Sequence, residues 1–427
     1  MRDQLKNSKI YTTVTRLIVF LILIVTIISY FFWSFFISTE EEPIRVGVLH
    51  ALDGSMSVSE RPLVESIRVA VEEVNRSGGI LGRRVELVIA NTKSDWDFAA
   101  KEARRLLQKE KVEIIFGCWT SSCRKAVIPV LKEFDAIMFY PLQYEGMESS
   151  QQIIYTGSTP NQQIIPATIW GLKTFGKRIF LLGSDYIFPR VANLIINEVA
   201  QIKDASIVGE SYLKLGTTDV ETVIDDIISS KPDLILNTIN GDTNYAFFKA
   251  LSQRFPKAPP PVISFSIGEP EIRIEPAIFS GHYASWSYFS SLEGPKNQEF
   301  IKAFKAYDTS HANKEISSIG DPMEASYIGF QLWKQAVEES KSTASSNIRA
   351  VLNRLSLHAP QGIVSFDPTN QHLWRTARIG QINPRGTFDI RWTSGEPVRP
   401  SPFPSFRHRQ YWIEQLAVIN RENSRAK

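Results

Sequence analysis

Short apolar runs alternate with amphipathic stretches along most of the chain, and this alternation constrains the fold more than any other feature. The first cycle predicts a strand at 44–49, a helix at 64–75 and a strand at 85–90, and the pattern restarts after Tyr155. Repeated strand–helix–strand units are typical of a parallel sheet with helices on both faces. The sequence therefore predicts an α/β protein with two doubly wound parallel-sheet lobes.

The pattern changes after Trp286, where helices and then antiparallel strands are predicted. These later elements would complete both lobes and join them through a hinge. The predicted divisions are lobe 1 at about 44–155 plus part of 285–390, lobe 2 at about 156–284 plus the remainder, and a polar C-terminal tail at 401–427.

Polar clusters follow the apolar runs at matching positions. Parallel sheets bind ligands beyond the carboxyl ends of their strands, so such clusters predict the walls of a cleft. The clusters occupy 50–55, 117–122, 140–145, 183–189 and 237–242.

The segment 17–37 contains no charged residue. At about 1.5 Å per residue, a helix of this length spans about 30 Å, the thickness of a bilayer core. Basic residues precede it and Glu40, Glu41 and Glu42 follow it, which places 1–16 in the cytoplasm and 44–427 on the extracytoplasmic face. The apolar run is longer than that of a cleaved signal peptide, so an uncleaved transmembrane signal anchor is the preferred interpretation.

Charge and motif content argue against several functions. Lys+Arg total 48 against Asp+Glu 45, so the chain lacks the excess of basic residues that is typical of nucleic-acid-binding proteins. No G-x-S-x-G motif occurs, and 171–178 matches a phosphate loop only in part, without its Ser or Thr. We therefore expect no catalytic residue, metal or cofactor, although an amidase remains a less favoured alternative.

Cys118 and Cys123 are the only cysteines. Two thiols alone cannot complete a zinc site, and the spacing is not C-x-x-C. A disulfide is permitted outside the membrane, but a spacing of five across a helix start is awkward for its geometry. We expect two buried, unpaired thiols.

Thr120 and Ser121 stand at the predicted start of a helix. The free N–H groups of a helix N-terminus suit a ligand carbonyl or carboxylate. A plain helix cap is the alternative.

Several longer motifs carry a family resemblance. The stretches FGCWTSSCRKAVIPV, YPLQYEGME, YTGSTPNQQ, GSDYIFPR, NGDTN and DPMEASYIG resemble the urea-binding and short-chain amide-binding proteins. These belong to the type I periplasmic binding proteins of the branched-chain amino acid class. The resemblance covers about 44–400 and implies a hinged cleft that closes on a small ligand.

By position in these motifs, the resemblance implies a pocket for a small flat diamide. Ser121 and the helix amides would donate to its carbonyl, Asp242 and Gln143 would accept its N–H protons, and aromatic rings would cover it. The implied ligand-binding residues are Trp119, Thr120, Ser121, Tyr140, Gln143, Tyr144, Tyr186, Asp242 and Asp53.

Because of two residues, the resemblance does not determine the identity of the ligand. Asp53 stands where the family usually has a hydroxyl residue, and Glu145 either faces the ligand or pairs with a lobe residue. No fixed cation for a carboxylate ligand is evident in the loops. The resemblance implies a membrane-anchored solute-binding protein that delivers urea or a short amide to an ABC permease. A sensor that uses the same cleft to control a regulator or kinase is the alternative.

Overall fold

The computed structural model describes residues 2–36, 41–311 and 318–425. The last residue of the predicted anchor, Ile37, and Glu40 of its acidic flank lie outside the described residues. Over the described ranges the helices are α1 (Arg2–Phe36), α2 (Ser57–Arg76), α3 (Trp96–Gln108), α4 (Ser121–Glu133), α5 (Ile164–Thr174), α6 (Ile187–Ile202), α7 (Glu221–Ser230), α8 (Thr243–Arg254), α9 (Glu269–Ile272), α10 (Pro276–Phe279), α11 (Pro295–His311), α12 (Asp321–Ser340), α13 (Ser345–Val351) and α14 (Arg409–Arg425).

Within the same described ranges the strands form three sheets. They are β1 (Ile44–His50), β2 (Val85–Asn91), β3 (Ile114–Gly117), β4 (Met138–Tyr140), β5 (Ile153–Tyr155), β6 (Arg178–Ser184), β7 (Ser206–Leu213), β8 (Leu234–Thr238), β9 (Val262–Ser264), β10 (Tyr283–Trp286), β11 (Ser356–Ala359), β12 (Gly362–Phe366), β13 (Leu373–Trp374), β14 (Arg378–Ile382) and β15 (Phe388–Thr393).

Lobe 1 is built on a parallel sheet in the order β2-β1-β3-β4-β5. The interior strands β1 and β3 are buried along most of their length, as expected for a parallel sheet covered on both faces. Helices α2, α3, α4, α11 and α12 pack over it, and the small sheet β11-β12-β13 joins the same core.

Lobe 2 is built on a sheet in the order β15-β14-β10-β9-β8-β6-β7. Its neighbours β7, β6, β8, β9 and β10 run parallel to one another. Strand β14 pairs antiparallel with β10, and β15 pairs antiparallel with β14. The predicted α/β class with parallel sheets in two lobes is confirmed.

Helix α1 contains an apolar stretch, Tyr11–Tyr30, that is long enough to cross a membrane and is not buried against the rest of the chain. The hydroxyl of Thr26, inside this stretch, donates to the Ile22 carbonyl oxygen (2.9 Å). This bond satisfies a polar group without water, as an apolar surrounding requires.

The expected polar tail contains a docked helix. In α14, Trp412 is fully buried and its indole N–H donates to the carbonyl oxygen of Pro404 (2.8 Å). Arg407 and Tyr411 both bond the carboxylate of Glu198 on α6. The segment therefore belongs to the packing of lobe 2.

The chain passes between the lobes three times, after β5, after β10 and after β13. A buried set of residues, Arg375, Asp321, Glu324 and Gln361, ties these crossings together, and we call it the hinge network. Arg375 donates to the Thr156 carbonyl oxygen (3.0 Å), to Asp321 (2.8 Å) and to Glu324 (3.2 Å).

Asp321 completes the hinge network at the second crossing. Its Oδ2 accepts the backbone N–H groups of Ser287 (3.0 Å) and Tyr288 (2.8 Å). One guanidinium and one carboxylate thus fix all three crossings.

Candidate ligand-binding cleft

Two lobe 1 side chains, those of Trp119 and Gln143, hydrogen-bond to lobe 2 across the cleft. The indole N–H of Trp119, after β3, donates to Oδ1 of Asn240, after β8 (2.9 Å). The side-chain amide of Gln143, after β4, donates to the Phe265 carbonyl oxygen beyond β9 (2.8 Å). These residues follow strand carboxyl ends in both lobes, which is where an open α/β sheet places its ligand site.

Two further contacts join the lobes at the rim. Ser59 on α2 donates to Oε1 of the buried Glu271 on α9 (2.6 Å), and the backbone N–H of Asp242 donates to the Ser55 carbonyl oxygen (3.3 Å). Burial raises the pKa of Glu271 above its ordinary value. The cleft is thus closed from its centre to its edge.

The start of α4 forms the lobe 1 wall of the cleft. Thr120 is its N-cap and accepts the backbone N–H of Cys123 (3.1 Å). Cys118 and Cys123 form a disulfide, so the expectation of two unpaired thiols is wrong. Cys118 adopts a left-handed backbone (φ 61°), which turns the chain sharply and brings the two Cα atoms within 5.7 Å.

A buried ion cluster lies behind this helix start: Arg124, Ser121, Glu145, Glu148 and Lys125, which we call the Arg124 cluster. Arg124 donates to Ser121 Oγ (3.1 Å), to Glu145 (3.4 Å) and to Glu148 (2.8 Å), and the Ser121 hydroxyl donates to Glu145. Lys125 adds a bond to Glu148 (2.9 Å). Arg124 and Glu145 are both fully buried.

The charges of the Arg124 cluster stabilise one another. Burial alone would lower the pKa of Arg124, but the negative charges around it, Glu148 first, raise that pKa well above its usual value. Burial also opposes the ionisation of Glu148, yet Arg124 and Lys125 outweigh it and lower its pKa. The cluster thus contains a fixed buried cation, Arg124, which the sequence did not reveal and which two carboxylates neutralise together with Lys125.

Two buried tyrosines of the predicted site belong to different lobes, Tyr140 to lobe 1 and Tyr186 to lobe 2. The Tyr140 hydroxyl donates to the Trp119 carbonyl oxygen (2.6 Å), and its ring packs against the Arg124 guanidinium. Tyr186, the residue before α6, is buried from the lobe 2 side. Burial raises its pKa first, and the nearby Tyr140 and Glu145 raise it further. The centroid of its ring lies 6.1 Å from that of Trp96, a lobe 1 residue.

Tyr144 packs its ring against the Arg124 guanidinium (4.7 Å) behind the cleft wall, and the other two predicted site residues lie at the rim. The Tyr144 hydroxyl donates to the Glu148 carbonyl oxygen (2.9 Å) and lies 2.6 Å from Nε2 of His372, behind the wall. Asp242 and Asp53 are exposed at the rim, where Asp53 accepts the side-chain amide of Asn91 (2.8 Å). The structure brings together Trp119, Thr120, Ser121, Tyr140, Gln143 and Tyr186.

Sequence reasoning missed two buried charged residues of lobe 1, Arg124 and Glu60. Glu60 is buried, accepts the backbone N–H of Ala51 (2.9 Å) and lies 2.9 Å from Nδ1 of His50. Helical spacing was the available signal: Arg124 follows Ser121 by three residues and so shares its helix face.

A two-lobed α/β body with a three-stranded hinge and a polar cleft at its strand carboxyl ends defines the solute-binding class of proteins. The family model described as the periplasmic binding protein domain matches residues 44–409. The chain belongs to this family, whose members lie outside the cytoplasm.

Individual relatives are distant. The chain is 20% identical to the Leu/Ile/Val-binding protein homolog 7 of Brucella suis over 390 residues, which cover 84% of this chain and 91% of that protein. A solute-binding protein of an ABC transporter from R. palustris, solved with 4-hydroxybenzoate, superimposes with a TM-score of 0.74 at 21% identity, covering 83% and 98% of the two chains. This likeness shows the fold.

A shorter match is to the limonene hydroxylase of Geobacillus stearothermophilus, 36% identical over 126 residues. It covers 29% of this chain and 22% of that protein, so most of the hydroxylase has no counterpart in the match.

Proposed function

We propose that the protein is a membrane-anchored, extracytoplasmic solute-binding protein that captures urea or a short-chain amide by cleft closure and delivers it to an ABC permease. The observation that carries the proposal is the acceptor side of Gln143. Its Oε1 atom is buried and has no hydrogen-bond partner among the described residues, although its amide nitrogen bridges the lobes.

An unpaired buried acceptor favours a ligand that brings N–H donors. Ser121 and Tyr140 in lobe 1 and Tyr186 in lobe 2 add three buried hydroxyl groups to the predicted site. Urea and short amides carry both N–H donors and a carbonyl acceptor, so they can use hydroxyls and amide oxygens together.

The closed lobes also favour a small ligand. The lobes approach closely at Ser59, Trp119 and Glu271, where a cavity beside the residues of the predicted site measures only about 10 Å³, about one water molecule. Together with the bridging hydrogen bonds at Trp119 and Gln143, this close approach favours a ligand of a few heavy atoms.

The position of α1 supports a membrane-anchored role. Residues 37–43 separate α1 from β1, and an extended chain covers at most about 3.5 Å per residue, so the lobes begin within about 28 Å of the helix end. Such a tether raises the local concentration of the binding protein at a permease. The same tether would suit a sensor whose closure a membrane partner detects. A permease gene beside this gene would favour transport, and a regulator or kinase gene would favour sensing.

The test is a calorimetric titration of the detergent-solubilised full chain with urea, acetamide, formamide, leucine and 4-hydroxybenzoate. We expect binding of urea or an amide, and none of the two carboxylates. Gln143→Leu should weaken that binding about tenfold through loss of a buried hydrogen-bond pair. The control Glu299→Gln, at an exposed position of α11, should leave it unchanged. Binding of leucine or 4-hydroxybenzoate alone would contradict the proposal.

A further inference from the structure

We propose that Glu145 determines the specificity of the cleft by occupying, with its own carboxylate, the place where a ligand carboxylate would bind. The inference rests on the proposed function and deepens it: it explains why a neutral amide would be accepted and its carboxylate counterpart excluded.

The groups around Glu145 are those that recognise a carboxylate. The 13-residue helix α4 directs its N-terminus at this wall, and its first residue, Ser121, offers a hydroxyl. Arg124, one turn further along, offers a fully buried guanidinium. A helix N-terminus, a hydroxyl and a guanidinium together make a strong anion site.

Glu145 fills this anion site from within the chain. Its Oε2 accepts the Ser121 hydroxyl, its Oε1 accepts Arg124 (3.4 Å) and it lies 3.7 Å from the ammonium of Lys125. It is fully buried and comes from the loop after β4. No ligand anion could use these donors without displacing it.

The position of Glu145 makes its charge effective against a ligand. It bonds the hydroxyl of Ser121, two residues after Trp119, whose indole N–H crosses the cleft to Asn240 of the opposite lobe. In the Arg124 cluster, the two cations Arg124 and Lys125 already balance the two carboxylates Glu145 and Glu148. A ligand carboxylate enclosed here would therefore be a buried charge without a partner, which is costly.

Acetamide and acetate give the sharpest test because they have nearly the same shape and differ in charge. Both would be titrated calorimetrically into the detergent-solubilised full chain, as wild type and as Glu145→Ala. We expect Glu145→Ala to bind acetate at least about tenfold more tightly than the wild type does, since Ser121 and Arg124 become free to bind it.

Glu148→Ala is the matched control. It removes a carboxylate from the same guanidinium, but Glu148 bonds Nε of Arg124, away from Ser121. This variant should gain no acetate binding. An equal gain in both variants would overturn the proposal, because the effect would then reflect net charge and not the position of Glu145.

Glu145→Gln keeps the shape of the side chain and covers the case in which Glu145→Ala does not fold. It should raise the ratio of acetate to acetamide affinity at least about threefold over the wild type. An unchanged ratio, or a wild type that binds acetate as tightly as acetamide, would overturn the inference. A wild type that binds neither urea nor an amide would refute the proposed function alone, because acetate binding gained only by Glu145→Ala would still support exclusion by Glu145.

Discussion

The hinge and the cleft are both places where the lobes meet, but different forces hold them. At the hinge, the fully buried Arg375 bonds two carboxylates and a backbone carbonyl oxygen. Across the cleft, the main contacts are neutral hydrogen bonds, from Trp119 to Asn240 and from Gln143 to Phe265.

This difference fits the separate tasks of the two regions, because the hinge contacts must persist while the contacts across the cleft must break when the lobes open. Removing one partner of a buried ion pair costs about 3–5 kcal/mol, whereas a neutral hydrogen bond contributes about 1 kcal/mol. The hinge network can therefore hold the three crossings together while the cleft contacts break and re-form. The Arg124 cluster lies inside one lobe and need not change when the cleft opens.

Arg375→Met should produce the largest effect. It leaves Asp321 and Glu324 buried without their cation, and we expect a loss of about 3–5 kcal/mol in unfolding free energy. Guanidinium-induced unfolding measures this without adding urea. The control Arg391→Met removes a half-exposed pair with Asp389 and should cost under about 1 kcal/mol. Equal losses in both variants would contradict the role of the hinge network.

The disulfide should give the next largest effect. Replacing both Cys118 and Cys123 by alanine should cost about 2 kcal/mol of unfolding free energy, the size expected for a short closed loop. Because Trp119 and Ser121 lie inside that loop, urea affinity should fall as well. Ser122→Ala, in the same loop, serves as the control. Two free thiols in the native protein, counted by a thiol reagent, would contradict the disulfide.

Glu269, beside the second crossing, should make stability depend on pH. Burial raises its pKa to about 7, and its Oε1 accepts the Ser290 N–H (2.8 Å). A raised pKa means that its stabilising contribution is complete below about pH 4.5 and is lost as pH rises through 7.

Glu269→Gln imitates the protonated carboxyl group. It should match the wild type at pH 4.5 and exceed it by on the order of 1 kcal/mol at pH 8, measured by unfolding at both pH values. The exposed Glu299→Gln should show no such difference. If the unfolding free energies of Glu269→Gln and of the wild type change in parallel with pH, the claim that ionisation of Glu269 destabilises the hinge region is contradicted.

Trp119→Phe should give the smallest effect and one confined to the cleft. It removes the bond to Asn240 and keeps an aromatic ring, so urea should bind about fivefold more weakly, while the unfolding free energy without ligand changes little. Trp392→Phe, on β15, is the control. If Trp119→Phe lowers the unfolding free energy but leaves the urea affinity unchanged, Trp119 stabilises the fold and does not act in ligand binding.

The sequence predicted the lobes well for a physical reason. Interior parallel strands such as β1 and β3 are apolar on both faces, so they stand out as short continuous runs, and polar loops mark their carboxyl ends. The predicted strands at 44–49 and 85–90 differ from the structure by one residue.

The chemistry of the site was harder to predict because it depends on contacts between loops. Glu145 reaches Ser121 and Arg124 only because β3 and β4 are neighbours in the sheet. The disulfide depends on the left-handed backbone of Cys118, a conformation that non-glycine residues rarely adopt. Asn240 bridges the lobes while Asp242, two residues on, is exposed, and no sequence pattern distinguishes them.

A distance measured between the lobes with and without urea tests the account most directly. Spin labels on cysteines introduced at Asp97 and Asp219, both exposed near the cleft, would report closure in the full chain, since the native cysteines are paired. The account predicts that urea or acetamide shifts the distances to a single shorter population and that acetate does not. Distances that stay unchanged with urea but shorten with leucine or 4-hydroxybenzoate would contradict it.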